Sequence, residues 1–183
     1  MAHVHFVARN WHQDIKPPNV LLDSDQNVRI IDWEQCGANP FIMAPEIDGT
    51  WDAVELDQEV NGRRQIAYHR YEGPKRVNQA VEPRWNSHPD WNQNCPRASE
   101  LAEVFSLGRT MWIILEQIGL ERTVGVTDYS TVVIQWSRWS DDIPAPWKHM
   151  VELSMAHNPN DRPLMNELLG FWEKELQGHR LSS

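Results

Sequence analysis

Cysteine is scarce in this 183-residue chain: Cys36 and Cys95 stand far apart and form no C-x-x-C pair. That excludes a disulfide framework and fits a reducing compartment, the cytoplasm or nucleus. Basic charge is also short. The formal net charge is -9, which argues against nucleic acid as a partner, because phosphate recognition needs a basic surface. Long apolar runs are missing. The longest stretch, Met111 to Leu120, is interrupted by Glu116 and Gln117, so no segment is expected to span a bilayer, and the first residues do not read as a signal peptide. A zinc site from His3, His5, His88 and Cys95 is unexpected too, for want of paired ligands at tetrahedral spacing. What remains is a globular composition, 40% hydrophobic and 23% charged, long enough for one domain with a real core. Tryptophan is plentiful, with ten residues. Trp51, Trp85 and Trp91 lie in an otherwise polar stretch, which is therefore expected to pack on the domain.

The chain opens on what reads as the end of a helix, His3 to Arg9, followed by a proline-containing loop to Asn19. Val20-Leu-Leu22 and Val28-Arg-Ile-Ile31 flank a set of turn formers and predict a β-hairpin. Residues 48–98 start acidic and turn basic. They read as an irregular insertion with short elements of its own, the least ordered part of the chain. The basic run from Arg63 to Arg76 reads as a solvated face. From Ser99 to Ile118, apolar residues at Leu101, Val104, Phe105, Met111, Trp112, Leu115 and Ile118 keep three-and-four spacing and predict a helix with Ser99 as N-cap. Further helices are predicted over Tyr129–Trp139, from Trp147 to a stop at Asn158-Pro159, and from Pro163 through Leu176, with Trp112 and Trp172 in the core. The expected class is mainly α with a small β-hairpin, and the helical part covers residues 99–178.

The chemistry is concentrated between His12 and Glu46. His12-Gln-Asp-Ile-Lys-Pro-Pro-Asn19 places a carboxylate, a lysine and an amide in one loop, and the predicted hairpin returns Asp32 beside Asn19. Phosphoryl transfer needs such a set: a carboxylate to orient the attacking hydroxyl and oxygen ligands for Mg²⁺ on the phosphates. Singly, Asp14, Asn19 and Asp32 are also ordinary turn residues; their place among the other motifs favours the functional reading.

The loop resembles the H-R-D-L-K-x-x-N catalytic loop of eukaryotic protein kinases. Asp32-Trp33-Glu34 resembles D-F-G, Ala44-Pro45-Glu46 resembles A-P-E, and Glu103-Val-Phe-Ser-Leu-Gly108 resembles D-x-W-S-x-G. Asp161-Arg162-Pro163 resembles the late arginine motif. The order is the family's, and the resemblance covers most of the chain. It implies the C-terminal lobe of an α+β kinase fold across residues 1–183, with catalytic loop 12–19 and metal-binding motif 32–34. It implies ATP and Mg²⁺ as cofactors and a protein Ser/Thr substrate. Asp14 would be the catalytic base, Lys16 would touch the transferred phosphate, and Asn19 and Asp32 would hold the metal. His12 would be structural, Glu103 would anchor the catalytic loop, and Glu46 would pair with Arg162 in a buried ion pair.

Several positions depart from the family pattern. Gln13 replaces arginine, so regulation by a phosphate bound there is not expected. Glu34 replaces glycine, Glu103 replaces aspartate, and the segment from Asp32 to Ala44 is short and holds no Ser, Thr or Tyr. Asp-Trp-Glu and the Trp-rich insertion also resemble kinase-like proteins common in filamentous fungi. No glycine-rich loop or V-A-I-K lysine occurs, so the upper lobe would be absent or supplied by a separate lobe or partner chain. Two other functions compete: an inactive kinase-like interaction module, and a small-molecule kinase of the aminoglycoside and choline kinase type, whose I-D-[FW]-[DE] resembles Ile31-Asp-Trp-Glu34.

Overall fold

A computed structural model of the chain describes residues 10–33, 42–74, 89–119 and 134–182. Among them the fold is mixed α+β, with two two-stranded antiparallel sheets and four α-helices. The predicted helix end at His3–Arg9, along with Glu34, Cys36, Trp85 and His88, lies outside the described residues.

The first sheet pairs β1 (Val20–Leu22) with β2 (Val28–Ile30), in register Val20 to Ile30 and Leu22 to Val28. Asp23 organises its turn. Its Oδ1 accepts the backbone N–H groups of Asp25 and Asn27, both at 2.9 Å, and its Oδ2 accepts Arg29 Nε at 2.8 Å. The N–H of Asn27, with Arg29 and Asp25 helping, holds the Asp23 carboxyl below the ordinary aspartate range.

Over residues 51–70 the second sheet overturns the reading of 48–98 as irregular. β3 (Trp51–Val60) and β4 (Arg63–Arg70) form a long hairpin. Its two-residue turn, Asn61 and Gly62, has φ of 53° and 74°; positive φ at both positions is the type I′ geometry that matches strand twist. One face buries Ala53 and Ile66 in the core, with Trp51 and Tyr68 packed beside them. The basic residues are not merely solvated either. Arg63 donates to Arg162 O at 3.0 Å and binds the Glu167 carboxylate. Asn160 acts as a one-residue strand against β4: its Oδ1 accepts Ile66 N–H at 2.8 Å and its Nδ2 donates to Ile66 O at 2.9 Å.

Helix α1 (Pro89–Asn94) leads into α2 (Pro96–Leu115), the axis of the fold. Pro96 occupies the first helical position, where a missing N–H costs nothing. The helix thus starts before Ser99, which lies inside it and is buried. Nor does α2 bury only one stripe: Leu101, Ala102, Val104, Phe105, Gly108, Thr110, Trp112 and Ile113 are all buried, because other elements surround it. α3 (Ala145–Ser154) crosses it at Gly108, where a Cβ would lie 2.6 Å from Ser154 Cβ. α4 (Met165–Ser182) packs Met165 and Leu168 on Val104. The Tyr129–Trp139 helix is corrected where it is described: residues 134–137 have no regular structure and Arg138–Ser140 form a 3₁₀ turn. No helix among the described residues is long and apolar enough to cross a membrane.

Candidate active site

The loop from Trp11 to Asn19 lies against α2 and is held by it. Gln13 N–H donates to Glu103 Oε2 at 3.1 Å, so the longer side chain at 103 does reach the loop backbone. Thr110, seven residues further along α2, donates from Oγ1 to Ile15 O at 3.3 Å. Ile15 is wholly buried, and Pro17–Asn19 close the loop as a 3₁₀ turn. Gln13 is left-handed, with φ of 61°.

Asp14 has 0% of its surface exposed. Its Oδ2 accepts Lys16 Nζ at 2.7 Å and Asn19 Nδ2 at 3.2 Å, and Asn19 Nδ2 also donates to Asp14 O at 3.0 Å. Among the described residues its Oδ1 has no partner. Burial pushes the Asp14 carboxyl above the usual aspartate range; the hydrogen bond and charge of Lys16, the Asn19 amide and His12 offset only part of that. A buried carboxylate oxygen without a donor is an unmet acceptor, and such groups concentrate where a ligand or reacting group completes them.

The hairpin ties the second half of the set to the first. Ile31 N–H donates to Asn19 O at 3.0 Å, so Asp32 follows immediately beside the end of the 12–19 loop. Asp32 is exposed and left-handed, with φ of 66°. His12 is fully buried, its Nε2 2.8 Å from Ile31 O, which spans the same junction. Trp33 packs on the His12 ring at 4.6 Å between centroids and donates from Nε1 to Ile30 O at 3.0 Å.

Glu46 and Arg162, 116 residues apart, meet in a buried bidentate pair: Nη1 to Oε1 at 2.5 Å and Nη2 to Oε2 at 3.0 Å. Arg162 also donates to Ala156 O at 2.8 Å and Leu101 O at 3.1 Å, and lies over the Phe105 ring at 4.8 Å. Four of the five N–H donors of the buried guanidinium are therefore engaged, and its face stacks on the ring.

The structure thus gathers His12, Asp14, Lys16, Asn19 and Glu103 in one loop-and-helix unit, sets Asp32 next to it, and joins Glu46 to Arg162. Thr110 lies outside every motif of the sequence, and Trp33 entered only as the middle of the 32–34 motif. Thr110 was within reach of helix periodicity, since it shares a face with Glu103. Among the described residues no three His, Cys, Asp or Glu side chains gather in a metal-binding group. A scan against protein-family models, a search of the curated proteins and a search of the solved structures each found no match.

Proposed function

We propose that this chain is the lower, helical lobe of a protein-kinase-like phosphotransferase of the Ser/Thr type, using ATP and Mg²⁺. The observation that carries the reading is the Glu46–Arg162 pair. Two short motifs of fixed composition, far apart in sequence, meet as a buried bidentate ion pair. Supporting it is the loop geometry. Asp14 is the proposed base, its unpartnered Oδ1 being the acceptor that a substrate hydroxyl would meet once the loop shifts to uncover it. Lys16 is the proposed contact to the transferred phosphate.

Asn19 and Asp32 are the proposed metal ligands. Asn19 turns its amide nitrogen to Asp14, which leaves its oxygen for a cation, and Asp32 offers an exposed carboxylate one residue past the Ile31–Asn19 bond. Two hard oxygen donors fit Mg²⁺, which binds through few protein groups and takes the rest from phosphates and water. When bound, the ion would neutralise charge on the phosphates. We place the protein in the cytoplasm or nucleus, acting on a protein substrate, with the upper wall of the nucleotide site provided by a separate lobe or partner chain.

A second reading, an inactive interaction module, is favoured by the complete burial of Asp14 beneath Lys16. Titration of the chain with Mg²⁺-ATP, followed by NMR shifts at Asn19, Asp32 and Trp33, separates the two. Shifts that require Mg²⁺ and vanish in Asp32→Asn support the kinase reading. No shift at any of the three overturns nucleotide binding by this lobe and leaves the module.

A further inference from the structure

Gln13 lies between His12 and Asp14, so its backbone decides where both side chains point. Its left-handed φ of 61° is disfavoured for a non-glycine residue and persists only where the surroundings impose it. Two groups impose it. Glu103 takes the backbone N–H, as described. The side-chain amide donates from Nε2 to Asn92 Oδ1 at 3.2 Å. The same Oδ1 accepts Ser99 Oγ at 2.7 Å, which uses both of its lone pairs.

Asn92 sits on α1, outside every sequence motif that points to the site, and Ser99 sits on α2. The corner between these helices is firm: Cys95 N–H bonds Trp91 O at 2.9 Å, Ala98 N–H bonds Cys95 O at 2.8 Å, and Trp91 is buried against Tyr68 at 5.8 Å between rings. A small cavity lined by Gln13, Ile47, Ser99, Ala102, Glu103 and Ser106 lies beside them.

We infer that Asn92 is a positioning residue for Asp14: as the acceptor shared by Gln13 and Ser99, it locks the loop in its left-handed turn, so the loop is held by the fold itself and needs no modification of the chain to order it. The catalytic meaning of that position rests on the proposed kinase reading; the lock itself does not.

Amide hydrogen exchange on the 183-residue chain tests it. Asn92→Ala is expected to speed exchange at the Gln13 and Asp14 amides roughly fivefold to tenfold, the loss of about one hydrogen bond. The Val104 and Phe105 amides in α2 should stay unchanged. Asn92→Asp keeps an acceptor for both donors and should exchange like the parent; a merely structural effect of α1 docking would not be rescued selectively at residues 13 and 14. A folded Asn92→Ala chain with parental exchange at both amides overturns the inference. Should Asn92→Ala not fold, Asn92→Asp decides: parental exchange supports the lock, and faster exchange or failure to fold overturns it. Loss of Mg²⁺-ATP binding in the parent chain, with exchange behaving as expected, would sink the kinase reading and leave the lock standing.

Discussion

Burial and chemistry pull in opposite directions at Asp14. Its folded-state carboxyl is raised above the unfolded value, chiefly by desolvation, so the folded chain holds that proton more tightly than the unfolded chain does. The penalty is therefore absent below the ordinary aspartate range, grows as pH rises toward the folded value, and is complete above it. Asp14→Asn removes the penalty and still accepts the Asn19 amide. It is expected to raise the urea midpoint at pH 7, with the gain shrinking to nothing in acid near pH 3; a gain independent of pH would contradict the stated cause. At the other end of the site, breaking one partner of a buried ion pair costs about 3–5 kcal/mol, whereas replacing both with apolar residues costs far less. Glu46→Leu alone should fall in that range by urea denaturation. The double change Glu46→Leu with Arg162→Met should recover part of it, held back by the two carbonyls, Ala156 O and Leu101 O, that lose their donor. Both partners were legible in the sequence because each belongs to a short motif of fixed composition. Gln13's strain was not, because glutamine carries no local signal for a left-handed backbone; Glu103 and Asn92 impose it from 90 and 79 residues away.

Elements were legible where one periodicity ran unbroken. The helices around Trp112, Val151 and Leu168 follow their apolar spacing, and the β1–β2 hairpin follows its two β-rich runs around a set of turn formers. β3 did not, for two physical reasons. Asp52, Glu55, Asp57 and Glu59 are residue types depleted in strands, and a register shift between Glu55 and Glu59 throws the period-two pattern out of phase halfway along. The signal that was present is Asn61-Gly62, a dipeptide made for a two-residue turn. Residues 134–139 failed in the other direction. Ser137 N–H bonds Glu116 Oε1 at 2.8 Å and Ser140 Oγ bonds Ser137 O at 2.7 Å, so local serine chemistry competes with the helix the β-branched run already disfavoured. Glycines sort the elements by what limits them. At Gly62 nothing lies within 4 Å of an added Cβ, so Gly62→Ala should cost about 1 kcal/mol from the left-handed backbone alone. Gly108→Ala meets Ser154 and should cost about 1–3 kcal/mol by forcing α2 from α3, while Gly170→Ala in open space on α4 should gain roughly 0.5–1 kcal/mol of helix propensity. Thermal melts of the three variants check both sign and order.

At the scale of the whole molecule, the proposed chemistry gathers on a surface that is apolar and open. Leu22 and Val28, cross-strand partners, are each 61% exposed, and Leu21, Ile31 and Trp33 are exposed beside them, next to Asn19 and Asp32. Apolar side chains grouped in this way mark a face built to be covered. Phosphoryl transfer is mostly positioning, and it needs the γ-phosphate held in line with the acceptor in a site from which water is excluded. These 183 residues contain no glycine-rich loop and no paired lysine to hold a nucleotide from above. On the proposed kinase reading, a nucleotide bound to this chain alone would keep one wall and the two proposed metal ligands, with solvent weakening every charge interaction that stabilises the transition state. Asp14 meanwhile stays fully buried with Lys16 against it, so no hydroxyl reaches Oδ1 without a shift of the loop. The 183-residue chain is therefore expected to turn over Mg²⁺-ATP no faster than its Asp14→Asn and Asp32→Asn variants, measured as phosphate release and as transfer to a mixed Ser/Thr peptide pool. Leu22→Ser with Val28→Thr should raise solubility without shifting the melting temperature by more than a degree or two, since exposed positions contribute little to stability. Turnover in the parent chain that both aspartate variants abolish would show that the lobe assembles a working nucleotide site by itself, and the exposed β1–β2 face would then have to be read as part of that site rather than as the seat of a second lobe.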